Sequence, residues 1–382
     1  MVPPYMDQLN PFVFNRPVAA EDLIDRDTET EQMLRLAEGG HAVRLSAPRR
    51  YGKTSLLRRL GAEADKAGIN YVEVDFYGVL SRLDVAGRLE EGYAKLRPGP
   101  QRIARAVIQT LRPAVSVGAA GVRVESRPHL EEQLGRRLTG LLDLPVQLYE
   151  RTGKRTLVAF DEFQALLSVD SGIDGLFRSR IQRHGDAASY VFAGSHPGLM
   201  AHLFGAHERP FFGQARSLRL DPLGDSDIIE HVGERFAATG REVGQAIDPL
   251  LDLAGGHPQR AMLLAHHLWE QTPDRGTAKA EHWQAALWAT FAEQDDALRA
   301  TWDSLEVKER AVFTALATGE PVFGTRTLER YNLSKGGAQH ARAALAHAGH
   351  IQQLGDEWRP VDPLLARWVV DFQHNGEEVL LP

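Results

Sequence analysis

The residues with the clearest chemical potential are Gly52, Lys53 and Thr54, which follow a short apolar run and open an amphipathic segment. Backbone N–H groups that converge at a helix N-terminus attract the phosphates of a nucleotide. The lysine ammonium can reach the β- and γ-phosphates, and the threonine hydroxyl can coordinate Mg²⁺. Position 47 carries Ala where the pattern G-x-x-x-x-G-K-[ST] has glycine. The segment therefore predicts a phosphate-binding loop that departs from its pattern at one position.

A pair of carboxylates, Asp161 and Glu162, follows the apolar run at 157–160. Sheets of parallel strands place their binding sites at the carboxyl ends of the strands. Asp161 would hold Mg²⁺ through water, because Mg²⁺ prefers oxygen ligands and keeps part of its hydration shell. Glu162 would polarise the water that attacks the γ-phosphate. The alternative is that the two acids only cap a following helix, and the preceding phosphate-binding loop favours the catalytic interpretation.

Two further motifs could contact a nucleotide. Ser195, with His196 as the second candidate, follows the apolar run at 191–193 and could orient the attacking water or sense the γ-phosphate. The alternative is a simple turn at the end of a strand. Farther on, His257 and Pro258 follow two glycines and begin a helix, where they could sense the nucleotide. Spacing alone favours an ordinary helix start for this second motif.

The composition limits the class of protein that carries these residues. The chain has 382 residues, 43% of them hydrophobic and 25% charged, which indicates a globular protein of two or three domains. The net charge of -7 argues against a generally nucleic-acid-binding surface but allows a local basic patch. The absence of cysteine excludes disulfides and fits a reducing compartment. With neither a signal peptide nor a membrane-length apolar run in the sequence, we expect a cytoplasmic protein without membrane contact.

Strands that alternate with helices predict an α/β domain with a parallel sheet over residues 1–224. The predicted strands lie at 42–46, 71–76, 156–160, 189–193 and 216–220. Two short alternating runs around a small-residue turn predict a β-hairpin insertion near 115–125.

From residue 225 to residue 294 the periodicity is helical, which predicts a helical second domain over 225–294. Residues 295–304 are expected to link it to a third domain, which extends to residue 382. There, three short helices at 308–317, 325–331 and 337–348 precede two short strands between 351 and 360. That order predicts a winged helix-turn-helix.

Four stretches together resemble one known family. They are APRRYGKTSLL at 47–57, DEFQ at 161–164, FAGS at 192–195 and GGHP at 255–258. They are similar to motifs of the archaeal-type ATPases, a branch of the P-loop NTPases near the AAA+ and STAND proteins. The segment VDPLLARW at 361–368 is also similar to the end of the winged helix of that family. The motifs occur in the family's order and span nearly the whole chain.

The resemblance implies an ATPase core, a helical lid and a winged helix, with ATP and Mg²⁺ as cofactors. It implies Glu162, Lys53 and Ser195 as catalytic residues, and Thr54 and Asp161 as metal ligands. The implied nucleotide-binding residues are Ala47, Pro48, Arg49, Arg50, Tyr51, Gly52, Lys53, Thr54, Ser55, Arg26, His257 and Pro258.

Two positions depart from the family pattern. Ala47 replaces the first loop glycine, and Asp25 replaces the glycine that usually precedes Arg26 in the N-terminal nucleotide-pocket motif. The extra methyl group of Ala47 is expected to restrict the backbone. Neither change removes a catalytic group, so we expect ATP binding to be kept and turnover to be slow.

The function predicted in this way is that of a Mg²⁺-dependent ATPase that acts as a conformational switch or motor. The alternative is a nucleotide-gated binding protein or a DNA-associated regulatory protein with little turnover. An arginine from a neighbouring subunit could stabilise the transition state. The candidates are Arg178, Arg180, Arg183, Arg209 and Arg216.

The partners of the winged portion stay open. Residues 305–382 carry eight Lys/Arg and ten Asp/Glu, a weak basis for binding phosphates. Lys335, Gln339, His340 and Arg342 could contact duplex DNA, whereas the several alanines of the same helix favour packing against protein. An unidentified protein client and self-association are the other partners that we consider.

Overall fold

A five-stranded parallel sheet, in the order β2-β3-β4-β1-β5, forms the centre of the N-terminal half. The computed structural model describes residues 9–111, 127–170 and 172–374. The strands are β1 (Val43–Ser46), β2 (Asn70–Asp75), β3 (Thr156–Asp161), β4 (Ala188–Gly194) and β5 (Arg216–Arg219). Each predicted strand is confirmed to within one residue at its ends. The predicted hairpin near 115–125 lies outside the described residues.

Helices cover both faces of this sheet. They are α1 (Asp27–Glu38), α2 (Lys53–Lys66), α3 (Arg82–Ala94), α4 (Pro98–Leu111), α5 (Arg127–Leu142), α6 (Leu144–Thr152), α7 (Ile173–Ile181) and α8 (Pro197–Gly205). Leu157 and Ala159 of β3 pack with α1 and α2, whereas Val158 and Phe160 pack on the opposite face. Every residue of β3 and β4 is buried, as expected for central parallel strands covered on both sides.

The register of the sheet brings the ends of three strands to one edge. Ser46 of β1 is level with Gly194 of β4, and Phe160 of β3 is level with Phe192 of β4. The residues that follow these strands therefore lie close together, although Lys53 and Glu162 are 109 positions apart along the chain.

The C-terminal half is helical. Its helices are α9 (Asp225–Ala238), α10 (Ile247–Ala254), α11 (Pro258–Gln271), α12 (Ala280–Ser304), α13 (Val307–Ala317), α14 (Thr325–Arg330), α15 (Lys335–Ala348) and α16 (Pro363–Trp368). An antiparallel pair, β6 (Ile351–Leu354) and β7 (Glu357–Pro360), follows α15. The predicted fold class is confirmed: a parallel-sheet core precedes a helical region with the element order of a winged helix-turn-helix.

The link expected at 295–304 is helical, because these residues complete the 25-residue helix α12. Phe291, Leu298 and Trp302 recur at helical spacing and are buried, so the apolar stripe of the helix continues to its end. The Trp302 ring also lies 6.5 Å from that of Trp368. A single apolar core joins both parts of the helical region. The domain limits at 224 and 294 stay a prediction.

The N-terminal segment ties the helical region to the sheet domain. Asn10 donates a hydrogen bond to the carbonyl of His266 on α11. The Phe12 ring is buried in the helical core, and the Val18 N–H donates to Ser55 Oγ on α2. Within the part of the chain that the structure describes, no helix is long and apolar enough to cross a membrane.

Candidate active site

The loop between β1 and α2 turns at two residues with left-handed backbone conformation. Arg50 has φ +66° and Gly52 has φ +80°, whereas Ala47 is not among the residues with positive φ. The methyl group of Ala47 is 3% exposed and packs with the apolar core beside α2. Ala47 therefore adopts a backbone conformation that is open to any L-residue without strain, and the expected restriction of the backbone stays a prediction. Slow turnover stays a prediction without that support.

Lys53, the first residue of α2, points at both carboxylates that follow β3. Its Nζ lies 2.6 Å from Glu162 Oε1 and 3.1 Å from Asp161 Oδ1. The Lys53 side chain is only 7% exposed, so the two carboxylates replace the water that would otherwise solvate its ammonium group. The structure thus brings together three charged side chains predicted from two motifs more than a hundred residues apart.

Thr54 and Asp161 fit the oxygen ligands of a Mg²⁺ ion. Thr54 Oγ1 donates a 2.9 Å hydrogen bond to Asp161 Oδ2. The other carboxylate oxygen accepts from the Glu162 N–H at 2.9 Å, which fixes the orientation of the carboxylate. A hydroxyl and a carboxylate this close supply two hard oxygen donors and leave the remaining positions to water and phosphate.

Glu162 is the most extensively bonded residue of the site. Its backbone has φ +50°, and its Oε2 accepts hydrogen bonds from Ser195 Oγ at 2.8 Å and from Gln164 Nε2. Burial acts to raise the pKa of Glu162, but the Lys53 ammonium and these hydrogen bonds outweigh it and hold that pKa below its usual value. The Glu162 carboxylate is therefore ionised at neutral pH. Sequence reasoning did not assign Gln164 a role.

Ser195 and His196, the two alternatives after β4, take separate roles. Ser195 contacts Glu162, whereas His196 Nδ1 caps α8 by accepting from the Leu199 N–H at 3.4 Å. The His196 ring lies 5.1 Å from that of His347 on α15. Burial first, and then the neighbouring His347, lower the pKa of His196. Of the two, Ser195 is positioned to act on Glu162.

Two residues predicted to bind nucleotide are engaged within the protein. Arg26 is 3% exposed, and its guanidinium donates to Glu29 Oε1 at 2.8 Å and to the Asp221 carbonyl at 2.6 Å. Ser55 Oγ accepts from the Val18 N–H at 3.1 Å. The structure places both side chains in contacts that attach the N-terminal segment.

His257 and Pro258 begin α11 beside the loop. His257 Nδ1 accepts from the Arg260 N–H at 3.3 Å, and its ring meets that of Tyr51 edge-on at 4.8 Å. Burial lowers the pKa of His257 to about 4, so the imidazole is neutral at physiological pH. The motif therefore serves as a helix start and also contacts the phosphate-binding loop.

The winged portion also reaches this loop, a contact that sequence reasoning missed. Tyr51 Oη accepts a 2.8 Å hydrogen bond from Gln352 Nε2 on β6, and Gln352 Oε1 accepts from Arg219 at 3.0 Å. Nearby, the buried Arg260 guanidinium forms two hydrogen bonds with the Asp362 carboxylate. A glutamine 301 positions from its partner carries no local signal that could have revealed the contact.

Most of the arginine-finger candidates have partners within the chain. Arg178 donates to Gln214, Arg180 binds Asp143, and Arg209 binds Asp174. Arg183 and Arg216 are exposed. The structure therefore singles out no arginine for a role in a neighbouring subunit.

Known proteins share part of this sequence and this fold. Residues 16–83 match the family model of the AAA-like domain. No curated protein matches the sequence. The structure is similar to the Walker-type ATPase of Pyrococcus abyssi, with a TM-score of 0.67 and 18% identity over 92% of this chain and 98% of that one.

The Aeropyrum pernix ORC2 protein is also similar. In its ADPNP–ADP complexes it gives a TM-score of 0.58 at 13% identity, over 94% of this chain and 95% of that one. Its ADP form gives a TM-score of 0.51 at 16% identity, over the same shares. At these identities the likeness shows the fold, and the described chain has the fold of the P-loop ATPases.

Proposed function

We propose that this protein is a Mg²⁺-dependent ATPase that works as a conformational switch or motor. The observation that carries the proposal is the convergence of Lys53 and Thr54 with two carboxylates. Lys53 pairs with both Asp161 and Glu162, and Thr54 donates to Asp161. They come from the start of α2 and the carboxyl end of β3, where sheets of parallel strands bind their ligands.

Each residue has a distinct task in hydrolysis. Lys53 would contact the transferred phosphate, and Thr54 with Asp161 would hold Mg²⁺, which would neutralise charge on the phosphates. Glu162, ionised at neutral pH, would accept the hydrogen bond of the attacking water and orient it. Ser195 would keep the Glu162 carboxylate in place through its hydrogen bond to Oε2.

A switch also needs a moving part that senses the site. The winged portion, which includes β6, is our candidate for this part, because the Tyr51–Gln352 hydrogen bond joins β6 to the phosphate-binding loop. Rearrangement of the loop on nucleotide binding would strain this contact and change the free energy of docking. The same contact favours our second candidate, a nucleotide-gated binding protein. In such a protein the bound nucleotide is itself the signal, and ATP hydrolysis is slow.

The relatives support nucleotide binding. The similar ORC2 protein is described in ADPNP–ADP complexes and in an ADP form, and the Pyrococcus abyssi relative is described as a Walker-type ATPase. Duplex DNA, a protein client and self-association stay proposals for the winged portion. Of its predicted DNA-contacting residues, Lys335, Gln339 and His340 are exposed, whereas the Arg342 guanidinium lies over the rings of Phe323 and Trp358.

Phosphate release under saturating Mg·ATP tests the first candidate against the second. We expect Glu162→Gln to bind ATP as tightly as the unsubstituted chain and to release phosphate at least about 100-fold more slowly. Lys53→Ala should weaken ATP binding itself. Equal phosphate release by the unsubstituted chain and Glu162→Gln, with ATP bound by both, would refute hydrolysis and leave the binding protein.

A further inference from the structure

We infer that Gln164 is a positioning residue for Glu162 and that Gly194 provides the space in which it works. The inference rests on the proposed ATPase function, because it assigns Gln164 to the orientation of the base in that reaction. The hydrogen bond of Gln164 goes to Glu162, so the role differs from nucleotide binding.

The chain folds Gln164 back onto the carboxylate that it serves. Glu162 adopts φ +50° at the end of β3, and a 3-10 helix (Phe163–Ser168) follows at once. This reversal lets Gln164 Nε2 donate to Glu162 Oε2, two residues before it. A carboxylate accepts only, so the amide nitrogen must face it.

The amide group is held there at a cost. Gln164 is 7% exposed, and among the described residues its side chain hydrogen-bonds only Glu162. Its Oε1 is buried without a partner in the same part of the chain. A buried carbonyl oxygen without a hydrogen bond is unfavourable for folding, so stability alone does not account for the arrangement.

Gly194, the last residue of β4, makes the arrangement sterically possible. A side-chain carbon at this position would overlap Oε1 of Gln164 and the sulfur of Met200. Gly194 is not among the residues with positive φ, so space alone requires the glycine. The next residue, Ser195, supplies the second hydrogen bond to Glu162 Oε2. Ser195 therefore provides one donor to Glu162, and Gly194 beside it leaves space for Gln164, the other donor.

The two donors decide which oxygen of Glu162 can act on water. Oε2 accepts from Ser195 and Gln164, while Oε1 accepts from Lys53. With two donors on Oε2 and one on Oε1, a free lone pair remains on Oε1, the oxygen that lies beside Lys53. Without Gln164 the carboxylate can rotate, and the base loses its alignment with the phosphate that Lys53 contacts.

The test is the split between turnover and nucleotide affinity in Gln164→Met, which keeps the volume and removes the donor. We expect kcat to fall about tenfold, as for loss of one hydrogen bond to a charged group, with the ATP Kd within twofold. Gln147→Met, a half-buried glutamine on α6, is the matched control and should change neither quantity.

A double-mutant cycle with Ser195→Ala separates positioning from general loosening. Both donors act on one oxygen, so the two effects on kcat should be non-additive. Should Gln164→Met fail to fold, Gln164→Asn keeps an amide but withdraws it by one methylene, and the same fall in kcat is expected.

The outcomes distinguish failure of the positioning role from failure of the proposed ATPase function. Hydrolysis by the unsubstituted chain, with kcat unchanged in Gln164→Met, overturns the positioning role alone. A kcat loss that is strictly additive with Ser195→Ala overturns it as well. No hydrolysis above the Glu162→Gln background in the unsubstituted chain refutes the proposed function and this inference with it.

Discussion

The two sides of the candidate site are built in contrasting ways. The phosphate side consists of Lys53, Asp161 and Glu162, which lie at the ends of a regular sheet and satisfy one another's charges. The covering side consists of single long-range contacts, among them Gln352 with Tyr51 and Arg260 with Asp362. The phosphate side follows from the topology of the sheet. The covering side depends on how the helical region docks, so the two sides should respond differently to substitution.

Asp161→Asn should have the largest effect on turnover, and this effect should be limited to the phosphate side. The change removes the negative charge that faces Lys53 and the predicted ion, so we expect kcat to fall at least about 100-fold. The Mg²⁺ concentration needed for half-maximal phosphate release should rise. An unaltered Mg²⁺ titration would contradict the assignment of Asp161 as a ligand.

Arg260→Ala should have the largest effect on the covering side. The guanidinium is 3% exposed, and its removal leaves the Asp362 carboxylate without its ion-pair partner. Because the Asp362 side chain is 28% exposed and gains some hydration, we expect a loss of about 2 kcal/mol in the free energy of unfolding, below the range for fully buried pairs. Urea denaturation measures it. Arg299→Ala, which breaks an exposed i,i+4 pair, is the control and should cost little.

Acidification should weaken the covering side through His257. Its pKa is about 4 in the folded protein against 6.5 for an ordinary histidine, since burial disfavours the charged ring. Below pH 6.5 the unfolded chain binds the proton first, so stability falls from there down to about pH 4, by up to about 1.4 kcal/mol per pH unit.

His257→Asn keeps a cap acceptor for α11 and removes this proton, so the slope of unfolding free energy against pH should become shallower. His231, whose pKa burial also lowers to about 4, remains in that variant, so part of the slope should persist. An identical slope in both proteins would contradict the role of His257.

Gln352→Leu should have the smallest effect and tests the link between the two sides. The change removes the neutral hydrogen bond to Tyr51 and the one that the largely hydrated Arg219 side chain donates, so the free energy of unfolding should fall by about 1 to 1.5 kcal/mol. If the winged portion senses the loop, the cycle of Gln352→Leu with Tyr51→Phe should be non-additive in ATP affinity. Additive effects on affinity would show that the contact is structural only.

Much of the phosphate side could be predicted from local sequence. The apolar runs of β1, β3 and β4 predicted buried parallel strands, and the polar residues directly after them had to meet at one edge. The pattern did not show whether Ala47 is strained, because that depends on φ, and the left-handed positions of this loop are Arg50 and Gly52. The sequence did not show that the link at 295–304 is helical, with an apolar stripe that continues to Trp302 near the end of α12.

The sequence by itself determined the sheet, its strand positions and the residues that Lys53 would meet, because period and apolar runs are local properties of the chain. Only the tertiary structure decided that Arg26 and Ser55 hold the N-terminal segment, that Gln164 bonds Glu162, and that Gln352 reaches Tyr51. These contacts depend on backbone reversals and on the docking of distant elements. Such geometry is fixed by packing over the whole molecule, which no local pattern encodes.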